Sequence, residues 1–230
     1  MSTSARSRST ARPSPYHHGD LRRALVEAAL ALVRERGADG FTLREAARRV
    51  GVSQTAPYRH FETRDALLAA VAEEGFSALR RELESLPQAV DPDPRLRLRA
   101  QGLACFRFYV ADPARFRVMF SRATSQRERY PGLAAAWGRV NEVLLRSLVA
   151  CQEAGEIRAG DPLELGLATA AMTHGLAALV NDGHLGPALG TDPEAVAALY
   201  QRASGVLYRG LHPPGRENLP TPAPRRRRRT

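Results

Sequence analysis

The 230 residues are 43% hydrophobic and 25% charged, a balance that suits a soluble globular protein able to bury a core as one large domain or two small ones. Two cysteines, Cys105 and Cys151, are too few and too scattered for a disulfide scaffold or a structural zinc site. Of the net charge of +10, residues 1–15 carry +3 and residues 213–230 carry +5, so the body between them is nearly neutral.

Aromatics are only 6% of the chain, and Ala and Leu supply most apolar side chains, which favours helix over sheet. No apolar segment follows the basic N-terminal stretch, so no secretory signal is expected. The longest stretch without a formal charge, Leu165 to Val180, falls short of the roughly 20 apolar residues of a membrane span. A reducing, cytoplasmic location is expected.

In chain order, residues 1–15 (Ser, Thr, Arg, Pro) read as a disordered basic tail. Asp20 is placed to cap a first helix with the stripe Leu21, Leu25, Ala28, Ala29, Leu32 and Val33, stopped by Gly37. Thr42 opens a capping box with Glu45, and Leu43, Ala46, Ala47 and Val50 follow at helical spacing. Gly51 breaks the chain, and Ser53 is placed to cap a short third helix reaching about His60. Thr63 caps a longer fourth helix that ends before Pro87. Asp91 to Pro94 reads as a linker between two blocks. Asp112-Pro113, Asp161-Pro162 and Asp192-Pro193 repeat its device, an Asp N-cap followed by Pro at the first helical position. They mark helices at about 95–111, 113–121, 131–154, 162–182 and 193–211. Residues 212–230 read as a disordered Pro/Arg-rich tail. The expectation is an all-α chain of about nine helices.

Residues 42–60 have the outline of a helix-turn-helix, whose second helix enters the major groove while the first braces it. Thr42 and Ser53 put hydroxyls at helix N-termini, where free amides favour phosphate. Gln54 and Thr55 open the second helix, where side chains reach base edges, and Gln pairs with adenine through two hydrogen bonds. Tyr58, Arg59 and His60 supply donors for backbone oxygens. A glycine-turned helix pair is also common as plain scaffold, and Pro57 removes one amide from a short helix.

Tyr16 to Val71, and most densely "FTLREAARRVGVSQTAPYRHF", closely resembles the DNA-binding half of the tetracycline-repressor family, TetR/AcrR. The resemblance implies base-facing roles for Gln54, Thr55 and Tyr58, and phosphate contacts for Thr42, Ser53, Tyr58, His60 and Arg64. Arg64 stands where the family usually has lysine, a change that suits a bidentate phosphate contact. "YHHGDLR", "APYRHF" and "MTHGLAALV" together resemble the subgroup named for a Trp-His-Gly motif, with Thr173 in place of its Trp. The implied organisation is a tail (1–15), a helix-turn-helix domain (16–65), a connecting helix (66–86), an effector-binding and dimerising domain (87–211) and a second tail (212–230).

A symmetric, palindromic operator calls for a homodimer. Its candidate interface is Leu176, Leu179 and Val180 with Val196, Leu199, Tyr200, Ala203 and Leu207; the small-residue strip Ala171, Gly175 and Ala178 either joins it or packs inside one subunit. Cys105, Phe106, Tyr109, Phe116, Met119, Phe120, Trp137 and His174 are candidates to line an effector cavity, or equally to form core. His174 stands between core residue and ligand contact. Neither His17-His18 nor Asn181 to His184 has metal-ligand spacing, no nucleophile–base pair or phosphate loop appears, and no cofactor is expected.

The sequence thus reads as a DNA-binding repressor released by a small-molecule effector, cytoplasmic and associated with the bacterial nucleoid. An activator or a partner-controlled regulator is the alternative, and a helical enzyme using the aromatic cavity is a further rival. The basic tails would add salt-dependent affinity for double-stranded DNA.

Overall fold

The computed structural model describes residues 18–86, 93–186 and 192–211. The expectations for both tails, for Tyr16 and His17, and for the first half of the Asp91–Pro94 linker lie outside these residues. Helices are the regular secondary structure of the described residues, with no strand among them. Eight α-helices follow in order: α1 His18–Arg36, α2 Leu43–Val50, α3 Arg64–Ser85, α4 Pro94–Ala111, α5 Pro113–Met119, α6 Pro131–Glu153, α7 Pro162–Asn181 and α8 Pro193–Gly210. The chain divides into two compact units between Leu67 and Leu68.

Local chemistry sets the helix starts. All four Asp-Pro pairs behave alike: the carboxylate of Asp93 accepts from the Arg95 amide at 2.8 Å, Asp112 from Arg115 at 3.1 Å, Asp161 from Leu163 at 2.9 Å and Asp192 from Glu194 at 2.9 Å. In each case the next residue is the Pro that begins the helix, so one orphan amide is bonded and another is absent. Thr63 caps α3 through the Ala66 amide at 3.1 Å. Two expectations are corrected. First, α1 begins at His18, which places Asp20 inside the first turn rather than ahead of it. Second, the expected third helix is a 3-10 turn, Ala56–Arg59. Pro57 occupies one of its first two positions, and the turn is closed by short-range bonds from the Tyr58 amide to Thr55 O and from the His60 amide to Pro57 O.

In the first unit, α1 buries Leu25, Val26, Ala29, Leu32 and Val33, and α2 buries Leu43, Ala46 and Ala47, with Phe41 and Phe61 also in the core. Forked hydrogen bonds from Arg49 to Glu35 (2.8 and 2.6 Å) and one from Arg36 to Glu45 (2.8 Å) tie α2 to α1. In the second unit α4 packs against α6, α7 and α8. Leu98, Leu148, Cys151, Ile157, Leu165, Tyr208 and Leu211 form one core cluster there.

Helix α7 runs beyond the uncharged stretch that appeared too short in the sequence. With Glu164 its only charged residue, it is long and apolar enough to cross a membrane by length and composition, and 22% of its apolar window is buried. Its buried residues are Leu165, Thr173, Ala177 and Val180.

Candidate functional site

The helix-turn-helix is built by hydrogen bonds local to it. Thr42 Oγ1 accepts from the Glu45 amide at 3.2 Å, while Glu45 accepts from the Thr42 amide at 2.9 Å, a reciprocal box that starts α2. At the other end Gly51 takes φ +78°, and its amide bonds back to the last turn. That left-handed geometry is costly for a residue with a Cβ. It aims the chain so that the Val52 amide reaches Ala47 O at 3.1 Å and the 3-10 turn leaves α2 at once.

Ser53, Gln54, Thr55, Tyr58 and Arg59 are exposed on this turn, Ala56 and His60 are half-buried, and Pro57 is buried. Tyr58 is 50% exposed, a large ring held at the surface. Ser53 does not cap the turn: its hydroxyl lies 3.3 Å from that of Thr55, and its carbonyl accepts from the Ala56 amide at 3.0 Å. Thr42 shares its hydroxyl with the Glu45 carboxylate at 3.1 Å. Arg64 is engaged with the Asp39 carboxylate at 2.9 Å and with Asp65 at 3.5 Å. Both pairs are solvent-accessible, so they stabilise little and a phosphate can displace them.

A cavity of about 490 Å³ lies within the second unit. Phe76 of α3, Cys105 and Tyr109 of α4, Phe120, and Trp137, Asn141 and Leu145 of α6 line part of it. Helix α7 contributes Leu163, Leu167, Thr173 and His174, and α8 contributes Tyr200 and Tyr208. Leu163 and Leu167 are 65% and 71% exposed, so the opening is apolar as well as the interior. His174 meets Phe120 edge-on at 4.5 Å and Phe116 at 4.9 Å. Tyr200 stacks on Phe106 at 5.2 Å and its hydroxyl lies 3.5 Å from Thr173 Oγ1. The Tyr208 phenol neighbours Tyr200 without a well-formed hydrogen bond of its own.

Burial sets the protonation of this wall. It lowers the pKa of His174, raises Cys105 to about 12 and pushes the Tyr109, Tyr200 and Tyr208 phenols above their usual range. Those groups are therefore neutral at neutral pH.

Five of the eight residues expected at an effector site line the cavity: Cys105, Tyr109, Phe120, Trp137 and His174. Phe106, Phe116 and Met119 do not line it and are buried in the surrounding core, supporting the wall from behind. Among the eight interface candidates, Val180, Val196 and Tyr200 are buried inside the subunit, where a partner has no access to them, and Tyr200 lines the cavity. Leu179 is exposed, while Leu176, Leu199, Ala203 and Leu207 are half-buried. Thr173, Tyr208, Leu163 and Leu167 were missed as cavity residues. Stepping back from His174 by seven and eleven residues reaches Leu167 and Leu163 on the same helix face, a usable signal. Among the described residues no cluster of three potential metal ligands occurs.

An exposed reading turn in one unit and a ligand-sized apolar cavity in the other define a helical sensor with a nucleic-acid-binding module. Two family models match the chain, "Bacterial regulatory proteins, tetR family" over residues 25–71 and "Tetracyclin repressor-like, C-terminal domain" over residues 98–204. The chain belongs to the tetR family of bacterial regulatory proteins, whose members are transcriptional regulators. It is similar to the class A tetracycline repressor from transposon 1721 of Escherichia coli, 43% identical over 67 residues, which are 29% of this chain and 30% of that protein's length. A solved protein of unknown function from Rhodococcus sp. RHA1 is 33% identical over 86% of this chain and 99% of its own, with TM-score 0.69. The regulator FadR from Bacillus subtilis, solved with stearoyl-CoA, shares the fold at 15% identity, covering 83% of this chain and 99% of its own, with TM-score 0.66.

Proposed function

We propose that this chain is a homodimeric transcriptional repressor that binds a palindromic operator in double-stranded DNA and is released by a small-molecule effector in the cavity of its second unit. The observation that carries the reading is the exposed set Gln54, Thr55 and Tyr58, held by the Gly51 turn on the rigid α1–α2 pair. In this reading those three side chains meet base edges, and Thr42, Ser53, Arg59, His60 and Arg64 meet phosphates. Two such modules would read half-sites about one helical turn apart, roughly 34–36 Å.

The dimer is supported by the uncovered apolar surface of α7. Ala168, Ala171 and Leu179 are exposed along one strip, with Gly175 and Ala178 half-buried beside them. Small residues allow two helices to approach closely, and a second copy would cover this surface in water. Effector binding would favour one of two dimer states, by no more than its difference in affinity for them. The working place of such a protein is the cytoplasm, beside the nucleoid.

The test is selection of duplexes from a random pool by the full chain, freed of small molecules, at physiological salt. A recovered palindrome with two similar half-sites is expected, and recovery of no preferred sequence refutes the reading. Reporter output with and without the gene separates repression from activation.

A further inference from the structure

The cavity wall is unusual in its charge. Among the described residues that line it, only Glu142 carries a formal charge, and it is exposed. Among the described residues no arginine lines it, and the chain contains no lysine. The two guanidinium groups against cavity aromatics, Arg127 at 4.8 Å from the Trp137 ring and Arg99 at 5.3 Å from the Tyr208 ring, are not among the lining residues. His174, Cys105 and the three phenols are neutral there. A carboxylate or phosphate entering this space would lose its hydration and meet no cation, with the acid of Glu142 as the nearest lining charge.

The polar groups that line it, Glu142 apart, are neutral, and three of them, Thr173, Tyr200 and Tyr208, lie together. Thr173 Oγ1 gives its proton to Thr169 O at 2.9 Å, so toward Tyr200 it is an acceptor. Tyr208, 6% exposed, turns its phenol toward the Tyr200 hydroxyl without forming a hydrogen bond of good geometry. A buried donor of this kind is satisfied by a ligand oxygen. Around Phe120 the contacts are chiefly between rings, those of Phe76, Tyr109 and His174, and the polar atoms there are the Tyr109 hydroxyl and the nitrogens of a neutral imidazole.

We propose that the effector is an uncharged lipophile bearing a hydroxyl or carbonyl oxygen, with its apolar body against Phe120 and His174 and that oxygen turned toward Tyr200 and Tyr208. The 490 Å³ of space holds on the order of 20 non-hydrogen atoms at ~20–30 Å³ each. The inference rests on the effector reading above and gives it a chemical class. It separates this chain from a neighbour of the same fold that was solved with an acyl-CoA, a polyanion.

The chain's single tryptophan, Trp137, lines the cavity, so its emission reports occupancy in the full-length protein. Pyrenebutanol and pyrenebutyrate share a skeleton of suitable size and differ in charge; their quenching of Trp137 is measured at neutral pH, with stearoyl-CoA as competitor. The alcohol is expected to bind at least ~10-fold more tightly than the acid, and Glu142→Gln to narrow that gap. Tyr208→Phe should raise the Kd of the alcohol by about 3- to 10-fold while leaving butylpyrene, which lacks the oxygen, unchanged. Equal or tighter binding of pyrenebutyrate, or displacement of the alcohol by stearoyl-CoA, overturns the charge assignment and leaves the cavity as the effector site. Tighter binding of pyrenebutylammonium overturns it in favour of a cation. Equal weakening of alcohol and hydrocarbon by Tyr208→Phe overturns the orientation. If no probe alters Trp137 emission, the cavity reading itself fails and this inference falls with it.

Discussion

Two glycines on helices facing the same cavity separate packing from helix propensity. Gly102 of α4 and Gly138 of α6 both line it. Replacing either by Ala in a helix interior should gain up to ~1 kcal/mol from propensity alone. At Gly138 a Cβ meets nothing within 4 Å, so that gain is kept. At Gly102 it would fall inside the van der Waals envelope of the Tyr200 hydroxyl, with the ring carbon behind it at 3.1 Å. Tyr200 is only 2% exposed and stacked on Phe106, so its phenol has no route to solvent and yields toward the cavity it lines. Overpacking of this kind costs ~1–3 kcal/mol. Gly102→Ala should therefore come out between neutral and ~2 kcal/mol destabilising, while Gly138→Ala stabilises by up to ~1 kcal/mol. At ~2–4 °C per kcal/mol for a chain of this size, thermal unfolding separates the two variants by several degrees in opposite directions. Gly102→Ala should also reduce ligand-dependent quenching of Trp137, because the displaced phenol intrudes on the cavity. If both substitutions shift Tm equally and in the same direction, the Gly102–Tyr200 contact does not shape the site.

Other consequences are open to measurement. Gly51→Ala should lower stability by ~1–2 kcal/mol in denaturant titration, since its φ of +78° is strained for alanine while no clash arises; Gly51→Asn should cost less. Tyr58→Ala should weaken operator binding by roughly 10-fold or more with an unchanged helical circular dichroism spectrum, because half of this ring is already in water. Burial lowers the pKa of His174 below its ordinary 6.5, so the unfolded chain holds this proton more tightly. Its contribution to stability is complete above about 6.5 and is lost as pH falls through the lower folded value. Denaturation midpoints compared at about pH 7.5 and 5.5 should fall on acidification by more in the parent chain than in His174→Gln.

The elements whose signals are local were legible without coordinates. An Asp before a Pro, a Thr three residues before a Glu and a Gly after an amphipathic run each act through hydrogen bonds or dihedrals spanning a few residues, and the caps at Asp93, Asp112, Asp161, Asp192, Thr42 and Thr63 follow from them. The position of the helix-turn-helix was readable for the same reason. The 3-10 form of its second arm is a choice between bonds three and four residues apart over a four-residue segment, which periodicity does not express. Tertiary packing alone decided the rest. Val196 and Tyr200 belong to an apolar stripe equally suited to an interface or an interior; what settled them is that α4 occupies the space beside α8. Arg64 looked like an available cation, and its engagement with Asp39, 25 residues earlier, exists only through the fold. The cavity is the extreme case. It is the volume that five packed helices leave unfilled, so no single segment encodes it, and whether an apolar residue faces it or supports it from behind is set by neighbours far away in the chain.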